Sequence, residues 1–125
     1  MDDQEIYNII GTEGFTRLVA AFYRRIPNDE ILGPMYPKDD LAGAEERLRD
    51  FLIFRFGGPH HYIENRGHPR LRMRHAPFPV DSAARNRWME IMTNAMLETG
   101  LPNEVNATLW DFFSNVATAM LNREG

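Results

Sequence analysis

Residues 66–78 read RGHPRLRMRHAPF, the most informative segment of this chain. Pro69 and Pro77 leave room between them for only about two helical turns. Leu71 and His75 are four residues apart and therefore share one face of such a helix. We expect the imidazole of His75 to point into the core. A lone inward histidine is more often a hydrogen-bonded core residue than a metal ligand, so the local pattern leaves both roles open.

Four longer amphipathic segments lie on either side of this short helix. In each of them apolar residues recur at three- and four-residue spacing, which predicts a helix with one buried face. In chain order, the segments run from near Thr12 to Pro27, from Asp39 or Asp40 as N-cap to Gly57, from Asp81 as N-cap to Gly100, and from Pro102 to Leu121. We find no convincing strand and no internal repeat, so the pattern predicts an all-α fold.

Composition narrows the class of protein. We expect residues 1–125 to form a single domain. The absence of cysteine excludes disulfides and thiolate-held metals, and the formal net charge of −4 argues against nucleic-acid binding. No apolar run reaches the roughly eighteen residues of a membrane span. The acidic start, Met1-Asp2-Asp3, lacks the basic region of a secretory signal, so we expect a cytoplasmic protein.

The four histidines do not form a zinc-hydrolase motif. They stand at positions 60, 61, 68 and 75, and no two of them have the i, i+4 spacing that places both imidazoles on one metal from a single helix. A zinc hydrolase is therefore poorly supported.

Several blocks taken together resemble the group II truncated haemoglobins. In chain order they are Phe22-Tyr23, Tyr36-Pro37, 41–48 (LAGAEERL), Gly57-Gly58-Pro59 and 66–78. The blocks and their spacing extend from about Phe15 to Met96. The resemblance implies a truncated globin-like two-over-two helical sandwich around one haem b, iron protoporphyrin IX.

The resemblance assigns the proximal iron ligand to His75. One ring nitrogen would bind the iron and the other would donate a hydrogen bond to the carbonyl of Leu71, one turn earlier. Such a bond fixes the orientation of the ring and its basicity.

The same resemblance places a distal set around the bound gas: Tyr23, Tyr36, Ala44, Leu48 and Trp88. The two phenols and the indole can donate hydrogen bonds to a ligand that carries partial negative charge, and Trp88 is the leading donor. Considered without the family, these rings would simply be core packing residues. Ala44 and Leu48 stand where other truncated globins often carry glutamine, and small Ala44 leaves room for a route to the iron.

Further residues are implied for the haem pocket. Candidates for binding the anionic propionates are Arg47, Tyr62, His68 and Arg74, and candidates for the pocket wall are Phe51, Leu71, Phe78 and Met92. The sequence departs from the family near Gly11-Thr12-Glu13-Gly14, where a glycine pair commonly joins the first two helices, so the start of that helix is not fixed by the pattern.

Two classes of function follow. The first is a haem protein that binds dioxygen and other diatomic ligands, with peroxidase-like or nitric-oxide-oxidising redox activity, a reductase partner and a monomeric or homodimeric state. Electron transfer or sensing through a protein partner is a third, less favoured alternative. The second class is a haem-free helical interaction module, in which Met89, Met92 and Met96 would form an adaptable apolar surface.

Overall fold

The computed structural model describes residues 1–59 and 80–122. These residues form four α-helices, one short 3-10 turn and no strand, which confirms the all-helical prediction. The helices are α1 (Asp3–Arg24), α2 (Leu41–Arg55), α3 (Ser82–Thr99) and α4 (Asn103–Ala119), with the 3-10 turn at Gly33–Met35. Within the described part of the chain, no helix combines the length and the apolar character needed to cross a bilayer.

The first helix starts earlier than the sequence pattern predicted. It begins at Asp3 rather than near Thr12, and the Asp2 side chain caps it by accepting a hydrogen bond from the amide of Glu5 at 2.8 Å. The helix is kinked at Gly11, whose φ of 62° and ψ of −177° are not helical. A glycine tolerates this positive φ, so the chain bends there and continues as a helix on both sides.

Packing joins the helices in two pairs. Helix α1 lies against α2, α3 packs on α4, and contacts between α1 and α3 hold the two pairs together, as expected for a two-over-two sandwich. The largest fully buried side chains include Phe15, Leu18, Phe22, Phe56, Met92, Leu109 and Phe113. Burial of these side chains is the main stabilising term, because each large apolar group removed from water contributes about 1.5–3 kcal/mol.

The predicted ends of α3 are confirmed. The Asp81 carboxylate accepts a hydrogen bond from the amide of Ala84 at 2.9 Å, and Gly100 ends the helix in the left-handed conformation. The corresponding prediction for α2 is half right. Asp40 occupies the N-cap position, but its side chain makes no capping bond, because the carboxylate lies over Gly43 and accepts from Arg47 Nη1 at 3.2 Å.

Replacing Gly100 by alanine is expected to destabilise the fold by about 1–2 kcal/mol, the cost of a β-carbon in the left-handed region. Gly100 has a φ of 73°, and a Cβ added there meets no atom within 4 Å, so the cost comes from the backbone alone. Urea titration measures this loss as a change in the free energy of unfolding. Gly100→Asn is the control and should lose less, because asparagine tolerates this conformation. Equal losses in both variants would contradict the backbone explanation.

The three methionines proposed as an interaction surface are core residues. Met89, Met92 and Met96 are 6%, 0% and 3% exposed. They share the face of α3 that packs on the rest of the core, so they offer no surface to a partner. That basis for a haem-free interaction module is wrong.

Candidate functional site

A cavity of about 640 Å³ opens between the helices. Its walls come from α1, α2, α3, α4 and the segment that joins α1 to α2, and they are mostly apolar or aromatic. The described lining residues are Tyr23, Leu32, Pro34, Met35, Tyr36, Pro37, Ala44, Arg47, Leu48, Phe51, Leu52, Val80, Ala84, Arg85, Trp88, Phe112, Phe113, Val116, Ala117 and Met120. All four described helices therefore contribute to one site.

All five residues of the predicted distal set line this cavity. Tyr23 lies in the last turn of α1, and Tyr36 follows the 3-10 turn in an extended conformation. Ala44 and Leu48 are one turn apart on α2, and Trp88 projects from α3. Residues from four parts of the sequence thus meet, and their roles toward a ligand remain predictions.

The three donor side chains belong to one aromatic cluster. The rings of Tyr23 and Tyr36 meet edge to face, with centroids 5.6 Å apart and planes at 88°. Phe22 is fully buried behind them, 5.2 Å from Tyr23, 6.5 Å from Tyr36 and 5.3 Å from Trp88 between centroids. Phe113 packs on the other side of the indole at 5.6 Å. This packing limits the orientations that the donors can take.

Burial makes both phenols harder to ionise. It raises the pKa of Tyr36 to about 12, although a hydrogen bond with the Trp88 indole offsets part of that rise. Burial also raises the pKa of Tyr23 above its ordinary value; the neighbouring Tyr36 adds to the rise and Arg47 opposes it. At neutral pH both phenol hydroxyls are therefore protonated and can donate a hydrogen bond. The indole N–H of Trp88 can also donate one.

Helix α2 contributes an apolar wall. Ala44 is 7% exposed, and Leu48 and Phe51 continue the same face of the helix into the cavity. None of the three carries a polar group. Among the described residues of the wall, the side chains that can donate a hydrogen bond to a ligand are those of Tyr23, Tyr36 and Trp88, together with the arginines Arg47 and Arg85.

The residues present fit a haem. The volume lies within the range of about 300–1,000 Å³ that is typical of cofactor sites, and a mostly apolar wall suits a porphyrin. Arg47, a candidate for binding a propionate, lines the cavity and is half-buried, with its guanidinium 3.2 Å from a carboxylate oxygen of Asp40. Arg85 also lines it and donates to Ser114 Oγ at 2.6 Å. Two arginines at the cavity suit the two anionic propionates.

Other predicted site residues do not line the cavity or cannot be placed. Met92 is fully buried and is not among the described residues of the wall. Six residues fall in 60–79, outside the described part of the chain: Tyr62, His68, Leu71, Arg74, His75 and Phe78. Among the residues that are described, no group of three or more histidine, aspartate or glutamate side chains could hold a metal ion.

Sequence reasoning missed part of the wall, notably Met35, Arg85, Phe112 and Phe113. Phe112 is half-buried and Phe113 is fully buried, and both line the cavity. Helical periodicity places both on one apolar face of α4, which is at least about 100° wide, and gives no signal that this face also borders a cavity.

Comparison with known proteins gives one family. The family model described as bacterial-like globin matches residues 5–122. Group 2 truncated haemoglobin YjbI of Bacillus subtilis is 36% identical over 117 residues, which cover 94% of this chain and 88% of that protein.

Solved structures agree with this. The crystal structure of the haemoglobin of Chloroflexus aurantiacus is similar with a TM-score of 0.90 and 44% identity, over 94% of this chain and 98% of that one. The group II truncated haemoglobin of Bacillus anthracis is similar with a TM-score of 0.91 and 31% identity, over 100% of this chain and 94% of that one.

Proposed function

This chain belongs to the bacterial-like globins and, among them, to the group 2 truncated haemoglobins, and on that premise we propose that it binds dioxygen and other diatomic gases at a haem b whose iron is ligated by His75. Haem-based ligand binding follows from the family itself. When bound, a ferrous haem supplies reversible coordination of the gas. The chain's own part is to hold the haem, exclude water and stabilise the ligand.

One observation carries the proposal: Tyr23, Tyr36 and Trp88 converge on one cavity whose described wall is otherwise apolar except for two arginines. In a low-dielectric cavity a hydrogen bond to a partly charged ligand is stronger than in water, and the ligand leaves more slowly. Packing against Phe22 keeps the three rings together before a ligand arrives. Less reorganisation is then needed on binding.

The wall opposite these donors supports access and water exclusion. Ala44 is the smallest side chain of α2 that lines the cavity, so it leaves space for a small molecule to pass. Its neighbours Leu48 and Phe51 are apolar and would not hold water beside the ligand. A diatomic gas can pass such a wall, whereas an ion would lose its hydration shell.

Peroxide turnover is the redox activity for which the cavity offers a specific observation. Tyr23 and Tyr36 are in ring contact, and Trp88 joins them through Phe22. Phenols and indoles near a haem can donate electrons during peroxide reduction, and a reductase partner would be needed to restore them. The nitric-oxide-oxidising activity would use the same cavity.

The purified protein is expected to show an intense Soret band that shifts on reduction and again on addition of carbon monoxide. Titrating the haem-free protein with haemin should saturate at one equivalent. Leu48→Glu, which places a charge in the cavity wall, should weaken haem uptake by at least tenfold, because an unpaired buried carboxylate costs several kcal/mol.

The matched control is Leu97→Glu, the same substitution at a side chain that is 69% exposed, and it should take up haem normally. A colourless protein that refuses added haemin would contradict the proposed function. Equal haem affinity in the Leu48→Glu variant and the wild-type protein would show that haem does not bind in this cavity.

A further inference from the structure

A buried carboxylate organises the segment that leads to Tyr36. Asp29 follows α1, and its side chain is only 8% exposed. Its Oδ2 accepts hydrogen bonds from the amides of Ile31 at 3.1 Å and Leu32 at 2.8 Å. Its Oδ1 accepts from Arg87 Nη1 at 3.1 Å. Both carboxylate oxygens are therefore satisfied, as a buried charge requires.

Backbone hydrogen bonds connect Asp29 to Tyr36. The carbonyl of Asp29 accepts from the amide of Gly33 at 2.9 Å, and the carbonyl of Gly33 accepts from the amide of Tyr36 at 3.4 Å. Between them, Leu32 is 2% exposed and contributes to the cavity wall. A change in the position of Asp29 would therefore be transmitted to Tyr36 over a few bonds.

The other end of the ion pair is the helix that carries Trp88. Arg87 directly precedes Trp88 in α3, and its side chain is 37% exposed. The Asp29 carboxylate thus ties the segment that presents Tyr36 to the helix that presents the indole. Neither Asp29 nor Arg87 is among the described residues that line the cavity, so any effect on a ligand must pass through residues that do line it, such as Leu32 and the two donors.

We propose that Asp29 and Arg87 are positioning residues, which fix the Tyr36 hydroxyl relative to the Trp88 indole and so set how long a gas ligand is held. This inference rests on the proposed function, because it concerns the same cavity. The ion pair acts at one place only: it sets the separation of two donors that come from different elements.

A second ion-pair cluster supplies an internal control. Arg24 and Arg25 at the end of α1 both bind Glu98, the latter at 2.9 Å, so they also join α1 to α3. Glu98 lies near the end of α3, about 15 Å along the helix from Trp88. It can stabilise the same helix pair without bearing on the cavity.

The test compares Arg87→Met, which keeps much of the side-chain length and removes the charge, with Arg87→Lys and Glu98→Gln. In the haem-loaded protein, Arg87→Met should release dioxygen about three- to tenfold faster, the effect of weakening one hydrogen bond. It should also shift or broaden the stretching band of bound carbon monoxide. Arg87→Lys should recover most of both effects, and Glu98→Gln should change neither.

A haem-free measurement separates this inference from the proposed function. The chain has two tryptophans, so in a Trp110→Phe background Trp88 is the only tryptophan, and excitation at wavelengths that tyrosine does not absorb reports on it alone. Adding Arg87→Met should then increase acrylamide quenching in the haem-free protein, whereas adding Glu98→Gln should not. If the wild-type protein takes up no haem, this quenching result still tests the positioning.

Two results would overturn the positioning role. One is an Arg87→Met variant with wild-type release rate, carbon monoxide band and quenching. The other is a variant whose melting temperature falls while these three readouts stay unchanged, since that would assign only a structural role to the ion pair.

Discussion

Replacing His75 by glycine is expected to leave a folded protein that no longer holds the haem iron by an axial protein ligand. Altering groups that merely support a ligating imidazole costs about 10–100-fold in metal affinity, so losing the imidazole itself should cost at least as much. The haem should dissociate faster, and the Soret band should change position and intensity. Absorption spectra and the rate of haem transfer to an acceptor protein measure both effects.

Added imidazole provides a rescue that a folding defect would not show. A free imidazole can occupy the space left by the side chain and coordinate the iron in its place, so millimolar imidazole should restore a spectrum close to that of the wild-type protein. His61→Gly is the matched control, because it removes a histidine that the family pattern does not assign to the iron. Unchanged axial coordination in His75→Gly would contradict the proposal that His75 ligates the iron.

The elements that the sequence predicted well are those fixed by local chemistry. Asp81 and Gly100 bound α3 because a carboxylate before the first turn and a glycine after the last turn satisfy the helix ends directly. The two elements that differ show the limit of local reasoning. The residues before Thr12 form a helix whose Ile6 is fully buried in the core, a tertiary effect that local patterns do not show, and Asp40 turns to Arg47 instead of capping α2.

The candidate site could be predicted only through the family pattern. A cavity is defined by residues that lie far apart in the sequence, and nothing in the spacing of Tyr23, Tyr36 and Trp88 says that they meet. Phe112 and Phe113 both belong to the wall of the cavity, although Phe113 is also fully buried in the core. Helical periodicity alone assigns both to one apolar face.

The Asp29–Arg87 pair shows the same limit. An aspartate in a turn and an arginine on a helix are each ordinary in sequence, and only the fold reveals that one carboxylate satisfies two amides and a guanidinium at once. Buried charges of this kind depend on tertiary contacts that no local motif encodes.

Replacing Trp88 by phenylalanine is expected to speed the release of dioxygen by about ten- to a hundredfold. Phenylalanine preserves an aromatic ring between Phe22 and Phe113, which flank the indole at 5.3 and 5.6 Å, but it has no N–H. A hydrogen bond to a charged group contributes about 1.5–3 kcal/mol, which gives this range of rates. Stopped-flow displacement of dioxygen by carbon monoxide measures the release rate.

Trp110→Phe is the control, because it makes the same change at a side chain on α4 that is 44% exposed and is not among the described residues of the cavity wall. Its release rate should equal that of the wild-type protein. An unchanged rate in Trp88→Phe would assign the indole to packing and leave Tyr36 and Tyr23 as the donors.

The double variant Trp88→Phe/Tyr36→Phe distinguishes independent donors, whose effects on the activation free energy add, from a coupled pair, whose effects do not. Because a hydrogen bond with the indole lowers the pKa of Tyr36, the two side chains interact, and we expect coupling.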